Sequence, residues 1–249
     1  MSKVYSNKSV LQATIERYNI IFSEFNNVYF SVSGGKDSSV MLQLANNVAS
    51  NYNKKFDVLF IDLEAQYKHT INHIKELFET NKQIKNIYWI CLPLSLRNAV
   101  SQLQPKWTCW DKDKDKWVRD MPENKWVINE FNCPFEWFKP NMEFEEFIIL
   151  FAEWYSNKNG TTATGIGIRS NESFNRFTTI INEKKVRYKD YGWTTKVKKG
   201  NNWLDVYNFY PIYDWLTEDI WTCVSKYNLK YNYIYELMYK NGLSIHEQR

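Results

Sequence analysis

Residues 28–45 read VYFSVSGGKDSSVMLQLA. Val28 to Ser33 is a short run rich in β-branched and aromatic side chains, the composition of a buried strand. Further on, Val40, Leu44 and Val48 recur at i+4, as do Met41, Ala45 and Ala49. That period predicts a helix over residues 38–49. Two glycines, a lysine, an aspartate and three serines separate strand from helix. A tight turn there aims the N–H groups of the first helical turn at one point, where the helix dipole adds partial positive charge. Gly34 and Gly35 let the backbone approach a ligand closely, Ser33, Ser38 and Ser39 add hydroxyl donors, and Lys36 adds a charge. The combination reads as a cradle for a phosphate or pyrophosphate. It is not a Walker-type loop, because position 30 is Phe and position 37 is Asp, and it is not G-x-G-x-x-G.

Outward from this stretch the pattern is β-α-β-α-β. A helix is expected over residues 8–25, a strand over 56–61 ending at Asp62, a helix over 67–78, and a strand over 87–92 stopped by Pro93. Such alternation predicts a parallel sheet with helices on its faces. A helix over 144–155, strands over 162–168 and 204–210, and a helix from 217 to 225 capped by Thr217 complete the set. The fold class read from this is α/β: one doubly wound, mostly parallel sheet of about five strands, in a single nucleotide-binding domain over residues 1–249. Residues 101–142 have no clear period and read as a Trp-rich insertion or lid within it.

With 249 residues and 44% hydrophobic content the chain can bury one large core. The net charge of +4 is mild and does not by itself name a nucleic-acid partner. Mean hydropathy is −0.56, and no apolar run approaches the roughly 20 residues of a membrane span. The first residues, MSKVYSNKSV, lack the apolar core of a signal peptide. A cytoplasmic location and no membrane contact are therefore expected. Cys91, Cys109, Cys133 and Cys223 form no C-x-x-C, so no iron–sulfur cluster is expected and buried free thiols are. His69 and His73 stand at i, i+4 but lack the Glu of H-E-x-x-H and a third ligand, and read as a solvated helix face.

Two further segments carry charge among aromatics. Trp107 to Trp137 holds five tryptophans, but its acids offset its lysines, so a lid or partner-docking surface fits better than a single-stranded nucleic-acid platform. Residues 184–199 carry seven cations and one acid. They read as a phosphate-backbone contact for nucleic acid, or as a basic hairpin lending Lys185 or Arg187 to ligand phosphates.

S-G-G-K-D-S at 33–38 resembles the PP-loop of the adenine nucleotide alpha hydrolase superfamily. Three more stretches are similar to phosphoadenylyl-sulfate (PAPS) reductases: Phe60-Ile61-Asp62 followed by Tyr67; Gly167 to Arg176, like G-x-R-x-x-E-S-x-x-R; and Pro211 to Trp215 followed by Asp219-Ile220-Trp221. The four fall in the family's order. The resemblance implies bound ATP or PAPS. It puts phosphates on Ser33, Gly34, Gly35, Lys36, Asp37, Ser38 and Ser39, and adenine by the backbone of Phe60, Asp62 and Leu63. Arg169 and Arg176 would meet phosphate or sulfate, with Glu172 orienting an arginine. Asp214 and Trp215 would be structural. The catalytic set implied is Lys36, Asp37, Ser38 and Arg169, with Asp37 holding Mg²⁺ if the nucleotide is ATP.

The family's reductases attack sulfur with a cysteine of a C-terminal E-C-G-[IL]-H motif. Residues 243–249 read LSIHEQR and carry none. The chain is thus read as an adenine-nucleotide enzyme of adenylyl, pyrophosphate or sulfur-related chemistry. The alternatives are a sulfonucleotide reductase whose cysteine lies outside this chain, and a nucleotide-sensing regulatory subunit. Phe60 to Tyr67 and the Trp-rich stretch are similar to the phage- and plasmid-associated branch of the immunoglobulin-binding-regulator A type, which implies a ParB-like/sulfiredoxin-like protein partner.

Overall fold

The computed structural model describes residues 7–97, 103, 105–182 and 184–248. Positions 101, 102 and 104 of the expected insertion lie outside the described residues, as do the two ends of the expected domain. Helix α1 (Val10–Glu24) is followed by β1 (Asn27–Val32), α2 (Lys36–Asn51), β2 (Phe56–Ile61), α3 (Lys68–Thr80) and β3 (Ile84–Ile90). Short strands β4 (Leu94–Arg97), β5 (Lys106–Thr108), β6 (Val127–Ile128) and β7 (Met142–Glu143) come next, then α4 (Phe144–Asn159) and β8 (Thr162–Ile166). The chain continues through α5 (Phe174–Ile181), β9 (Thr194–Lys199), β10 (Asn202–Phe209), α6 (Thr217–Tyr227) and α7 (Ile234–Lys240).

The main sheet has seven strands in the order β6-β3-β2-β1-β8-β10-β9, all parallel except the edge strand β9. The fold class read from the sequence stands, with two strands more than the five expected. Successive residues of β1 show why both faces are covered. Tyr29 packs on Phe151 and Tyr155 of α4, while Phe30 packs on Tyr18 and Phe22 of α1. Alternation along one strand thus serves two helical layers. Ser9 caps α1, accepting the Gln12 N–H at 3.2 Å while Gln12 accepts the Ser9 N–H at 3.0 Å. Helix α6 begins at Thr217 itself, not after it. The Asp219 carboxylate, rather than Thr217, closes that end by accepting the Leu216 N–H at 2.8 Å.

The Trp-rich segment belongs to the same hydrophobic core as the sheet. Cys109, Trp110, Val127, Phe135 and Met142 are buried in it, and none of the five tryptophans is exposed. Two carboxylates beyond β2 fasten it. Asp62 accepts from Trp89 Nε1 at 2.9 Å and from the Arg119 guanidinium, and Glu64 accepts the N–H groups of Trp110 and Val118 at 2.5 and 2.7 Å. An exposed aromatic docking face, as read from the sequence, is not what these rings make. In residues 184–199 Arg187 donates to the carbonyls of Gly192, Thr194, Ile180 and Asn182, and Lys185 to that of Thr179. These two cations brace their own loop.

Asp214 and Trp215 tie α1 to the end of the sheet. Arg17 meets Asp214 through two bonds of 2.8 and 2.6 Å and also reaches the Pro211 carbonyl, while Trp215 Nε1 donates to Thr14 Oγ1 at 2.8 Å. Asp214 acts here as an ion-pair partner. Asp214→Ala leaves the largely buried Arg17 charge short of its counter-ion and should cost about 2 kcal/mol, read from the urea midpoint.

Candidate functional site

Strand β1 has β2 on one side and β8 on the other, so the chain crosses the sheet in opposite senses from this point. Ligands of doubly wound sheets bind beyond the carboxyl ends of strands at such a switch. Register aligns Ser31 with Ile166, which brings residues 33–38 beside residues 167–169. Gly167 permits the contact. A Cβ there would stand 3.0 Å from the Ser38 Cα and 3.2 Å from its backbone nitrogen, atoms that cannot swing aside.

Helix α2 starts at Lys36, two residues earlier than its apolar stripe indicates, with Gly35 as the residue before it. Asp37 and Ser38 are therefore first-turn residues whose N–H groups have no acceptor within the helix. Gly34 sits at φ +76, in the left-handed region that glycine adopts freely. Its carbonyl accepts from Asn232 Nδ2 at 3.1 Å. The Gly35 carbonyl accepts from the Ser38 and Ser39 hydroxyls at 3.1 and 2.8 Å. A trans peptide points its N–H opposite its carbonyl, so pinning these two carbonyls turns the N–H groups of Gly35 and Lys36 the other way. The Lys36 N–H meets the Tyr235 hydroxyl at 3.0 Å. That oxygen accepts there and keeps its own proton to donate.

A cavity of about 700 Å³ opens at this point. Ser33, Gly35, Lys36, Asp37 and Ser38 form one wall, and Arg169, Glu172 and Arg176 another. Lys36 is only 5% exposed, and burial lowers its pKa. Its Nζ lies 2.9 Å from the Gln248 carbonyl and 3.8 Å from Asp37 Oδ2. Burial raises the Asp37 pKa against the opposing pull of Lys36 and Arg169. Arg169 Nε donates to Asp37 Oδ1 at 2.8 Å and its Nη1 to Asn171 at 2.9 Å. Arg176 pairs with Glu172 at the more exposed rim.

The sequence-predicted residues thus divide. Ser33, Gly35, Lys36, Asp37, Ser38, Leu63, Arg169 and Arg176 line the cavity, joined by Ile61. Gly34 and Ser39 lie behind the loop and shape it. Phe60 is a core ring packed on Phe78 and Trp89, and the Asp62 carboxylate faces the Trp-rich segment. Two contributors far along the chain, Asn232 and Tyr235, escaped the sequence, and a third, His73, reads there only as part of a solvated helix face.

His73 corrects the expectation of a solvated helix face. It is 4% exposed, and its Nε2 stands 2.8 Å from Ser39 Oγ. His69 stays outside, near the Tyr233 ring. Burial pulls the His73 pKa from its ordinary 6.5 to about 4. As pH falls from 6.5 toward 4, the unfolded chain takes up a proton that the folded protein refuses. Stability should therefore be full above pH 6.5 and fall by on the order of 2–3 kcal/mol toward pH 4. Denaturation midpoints across that range check it, and His73→Gln should flatten this part of the profile.

No cysteine lines the cavity. Burial raises the pKa of all four thiols, Cys109 to about 12 and Cys223 to about 11, so none is an activated thiolate. Among the described residues no group of three or more His, Cys, Asp or Glu is placed to hold a metal ion, and no helix is long and apolar enough to cross a membrane.

Residues 27–241 match the family model of the phosphoadenosine phosphosulfate reductase domain. The chain belongs to that family. The chain is similar to the uncharacterized protein YbdN of Escherichia coli K12, 41% identical over 243 residues. The match covers 97% of this chain and 58% of YbdN, so the chain spans little more than half that relative's length. Among solved structures it is similar to a PAPS reductase from Candida auris in a phosphate complex, with 13% identity, a TM-score of 0.45, and coverage of 95% and 94% of the two chains. It is also similar to FMN adenylyltransferase of Candida glabrata in complex with ATP, with 19% identity, a TM-score of 0.49, and coverage of 94% and 62%.

Proposed function

We propose that this PAPS reductase-like protein binds ATP in the cavity and transfers its adenylyl group to an acceptor. The observation that carries the proposal is the pairing of an almost fully buried Lys36 with the Asp37 and Ser38 N–H groups, which have no acceptor within α2, in a cavity that no thiol lines among the described residues. The phosphates lie on residues 33–38, and adenine lies against Ile61 and Leu63. An acceptor oxygen, nitrogen or sulfur attacks the α-phosphorus. The bond to the bridging oxygen breaks, pyrophosphate leaves, and the acceptor's proton passes to solvent. Lys36, Ser38, the loop amides and the Tyr235 hydroxyl carry the charge that develops on pyrophosphate, while Arg169 holds Asp37 and faces the transferred phosphate. This is positional and electrostatic catalysis, with no covalent side-chain step.

Magnesium fits the site modestly. Asp37 Oδ1 is taken by Arg169, leaving Oδ2 as one protein ligand, and Mg²⁺ commonly relies on one or two carboxylates plus substrate phosphates. Bound there, the ion would neutralise phosphate charge. The reaction is tested by isotope exchange between labelled pyrophosphate and ATP across a panel of acceptors. Acceptor-dependent exchange that vanishes in Lys36→Ala supports adenylyl transfer, and its absence with all acceptors counts against it.

The family match favours a second reading, in which the same cavity holds PAPS. A thiolate from a partner such as thioredoxin, or from a cysteine outside this chain, would attack sulfur, break the S–O bond and release the nucleoside bisphosphate. A regulatory role beside a ParB-like/sulfiredoxin-like protein, in a cytoplasmic phage- or plasmid-associated setting, is supported by the Phe60 to Tyr67 stretch. ATP bound without turnover, at an affinity that the partner changes, would distinguish it.

A further inference from the structure

The helix α3 histidine pair has no part in the chemistry above, yet His73 stands directly behind the phosphate loop. Ser39 has one hydroxyl proton. Its Oγ lies 2.8 Å from the Gly35 carbonyl, which can only accept, so the proton goes there. Ser39 Oγ must then accept from His73, 2.8 Å away, which puts the imidazole proton on Nε2. His73 Nδ1 is buried without a hydrogen-bond partner among the described residues. The opposite tautomer would bury an orphaned N–H donor at that atom and leave the Ser39–Gly35 contact without a proton. A bare acceptor is the lesser penalty.

We infer that His73 is a positioning residue for the phosphate loop: its Nε2–H fixes Ser39, Ser39 fixes the Gly35 carbonyl, and the Gly35–Lys36 peptide thereby presents its N–H toward the cavity. The inference rests on the nucleotide reading for its ligand, not for its geometry. Three groups act on that carbonyl, namely the Ser38 hydroxyl, the Ser39 hydroxyl and the Ser39 N–H at 3.0 Å. Only the Ser39 hydroxyl is itself held from outside the loop, so α3 sets the angle at which α2 begins. Thr70, one turn earlier on α3, receives the second bond of Asn232 Nδ2 at 2.8 Å, and Asn232 holds the neighbouring Gly34 carbonyl. One face of α3 therefore governs both glycine carbonyls without touching a ligand.

Three measurements test this. The protein has three histidines, so nitrogen-15 NMR of labelled histidine near pH 7.5, with His73→Gln for assignment, reads the tautomer directly. The expected signature is a protonated Nε2 and an unprotonated Nδ1; the reverse overturns the inference. Calorimetry with ATP–Mg²⁺ and with adenosine follows. His73→Leu should bind ATP at least about 10-fold more weakly, with adenosine affinity unchanged, while His73→Gln, which keeps an N–H near Nε2, should stay within about threefold of wild type. Equal losses in the Leu and Gln variants, or loss of adenosine affinity too, would mean a packing role only. Amide exchange at Lys36 and Ser39 should speed up in the Leu variant relative to wild type and Gln. That readout holds even if the wild-type protein binds no ATP, in which case the nucleotide reading falls and the loop coupling is judged alone. If the Leu variant fails to fold, the tautomer and the exchange rates of wild type against His73→Gln decide.

Discussion

Lys36→Met is expected to weaken ATP binding about 100-fold while leaving thermal stability unchanged or slightly higher. The two effects have one cause. Lys36 is nearly fully buried, and burial lowers its pKa, because the ammonium is weakly solvated there. A main-chain carbonyl at Gln248, a carboxylate oxygen 3.8 Å away and the Tyr235 ring, 5.3 Å to its centroid, offer it partial compensation. A phosphate offers far more, and charge-assisted bonds of this kind contribute about 1.5–3 kcal/mol each. Methionine keeps the apolar stem and removes the charge, so the fold loses a strained group and the ligand loses its main cation. Titration calorimetry and a melting curve on the same variant check both halves. A variant with lower stability and intact ATP affinity would mean that Lys36 is a structural cation.

Gly34→Ala is expected to cost about 2 to 5 kcal/mol of stability, the sum of left-handed backbone strain and overpacking. At φ +76 an alanine is strained in any surroundings, and here its Cβ would stand 2.7 Å from Thr70 Cγ2 and 3.1 Å from Ile74 Cγ1. Both neighbours are on α3, the helix that carries His73. The variant should therefore push α3 from the loop as well as strain it, and protein that still folds should bind ATP weakly. Urea denaturation measures the first effect. A loss below about 1 kcal/mol would show that the turn relaxes to another geometry, since only a relieved φ and a relieved contact could make the change that small.

How far the sequence reveals this molecule depends on where each residue's partners lie. The β1–loop–α2 unit is legible because its signals are local: an apolar strand, two glycines, and an i+4 stripe within 20 residues or so. Strand β9 is not legible. Its lysines at 196, 198 and 199 read as part of a nucleic-acid contact or basic hairpin over 184–199, and only pairing with β10 makes them an edge strand of the main sheet, with Lys196 and Lys198 laid over Tyr207 and Trp203. Strand β6 has two residues, too few for any period. The five tryptophans read as a surface because lysines and aspartates surround them, but the chain leaves none of the rings exposed and turns Arg119 in to pair with the buried Asp62. At the site, Lys36 and Arg169 carry recognisable motifs. Asn232 and Tyr235 act on the loop from about 200 positions away, and His73 acts through another side chain, so no spacing rule reaches them.

The most direct test is calorimetric titration of the purified protein with ATP–Mg²⁺, PAPS and adenylyl sulfate, with Lys36→Ala as control. Adenylyl transfer from this cavity predicts saturable ATP–Mg²⁺ binding that Lys36→Ala abolishes, and weaker binding of both sulfonucleotides. Tight PAPS binding without ATP binding would contradict it and move the chemistry from the α-phosphorus to sulfur.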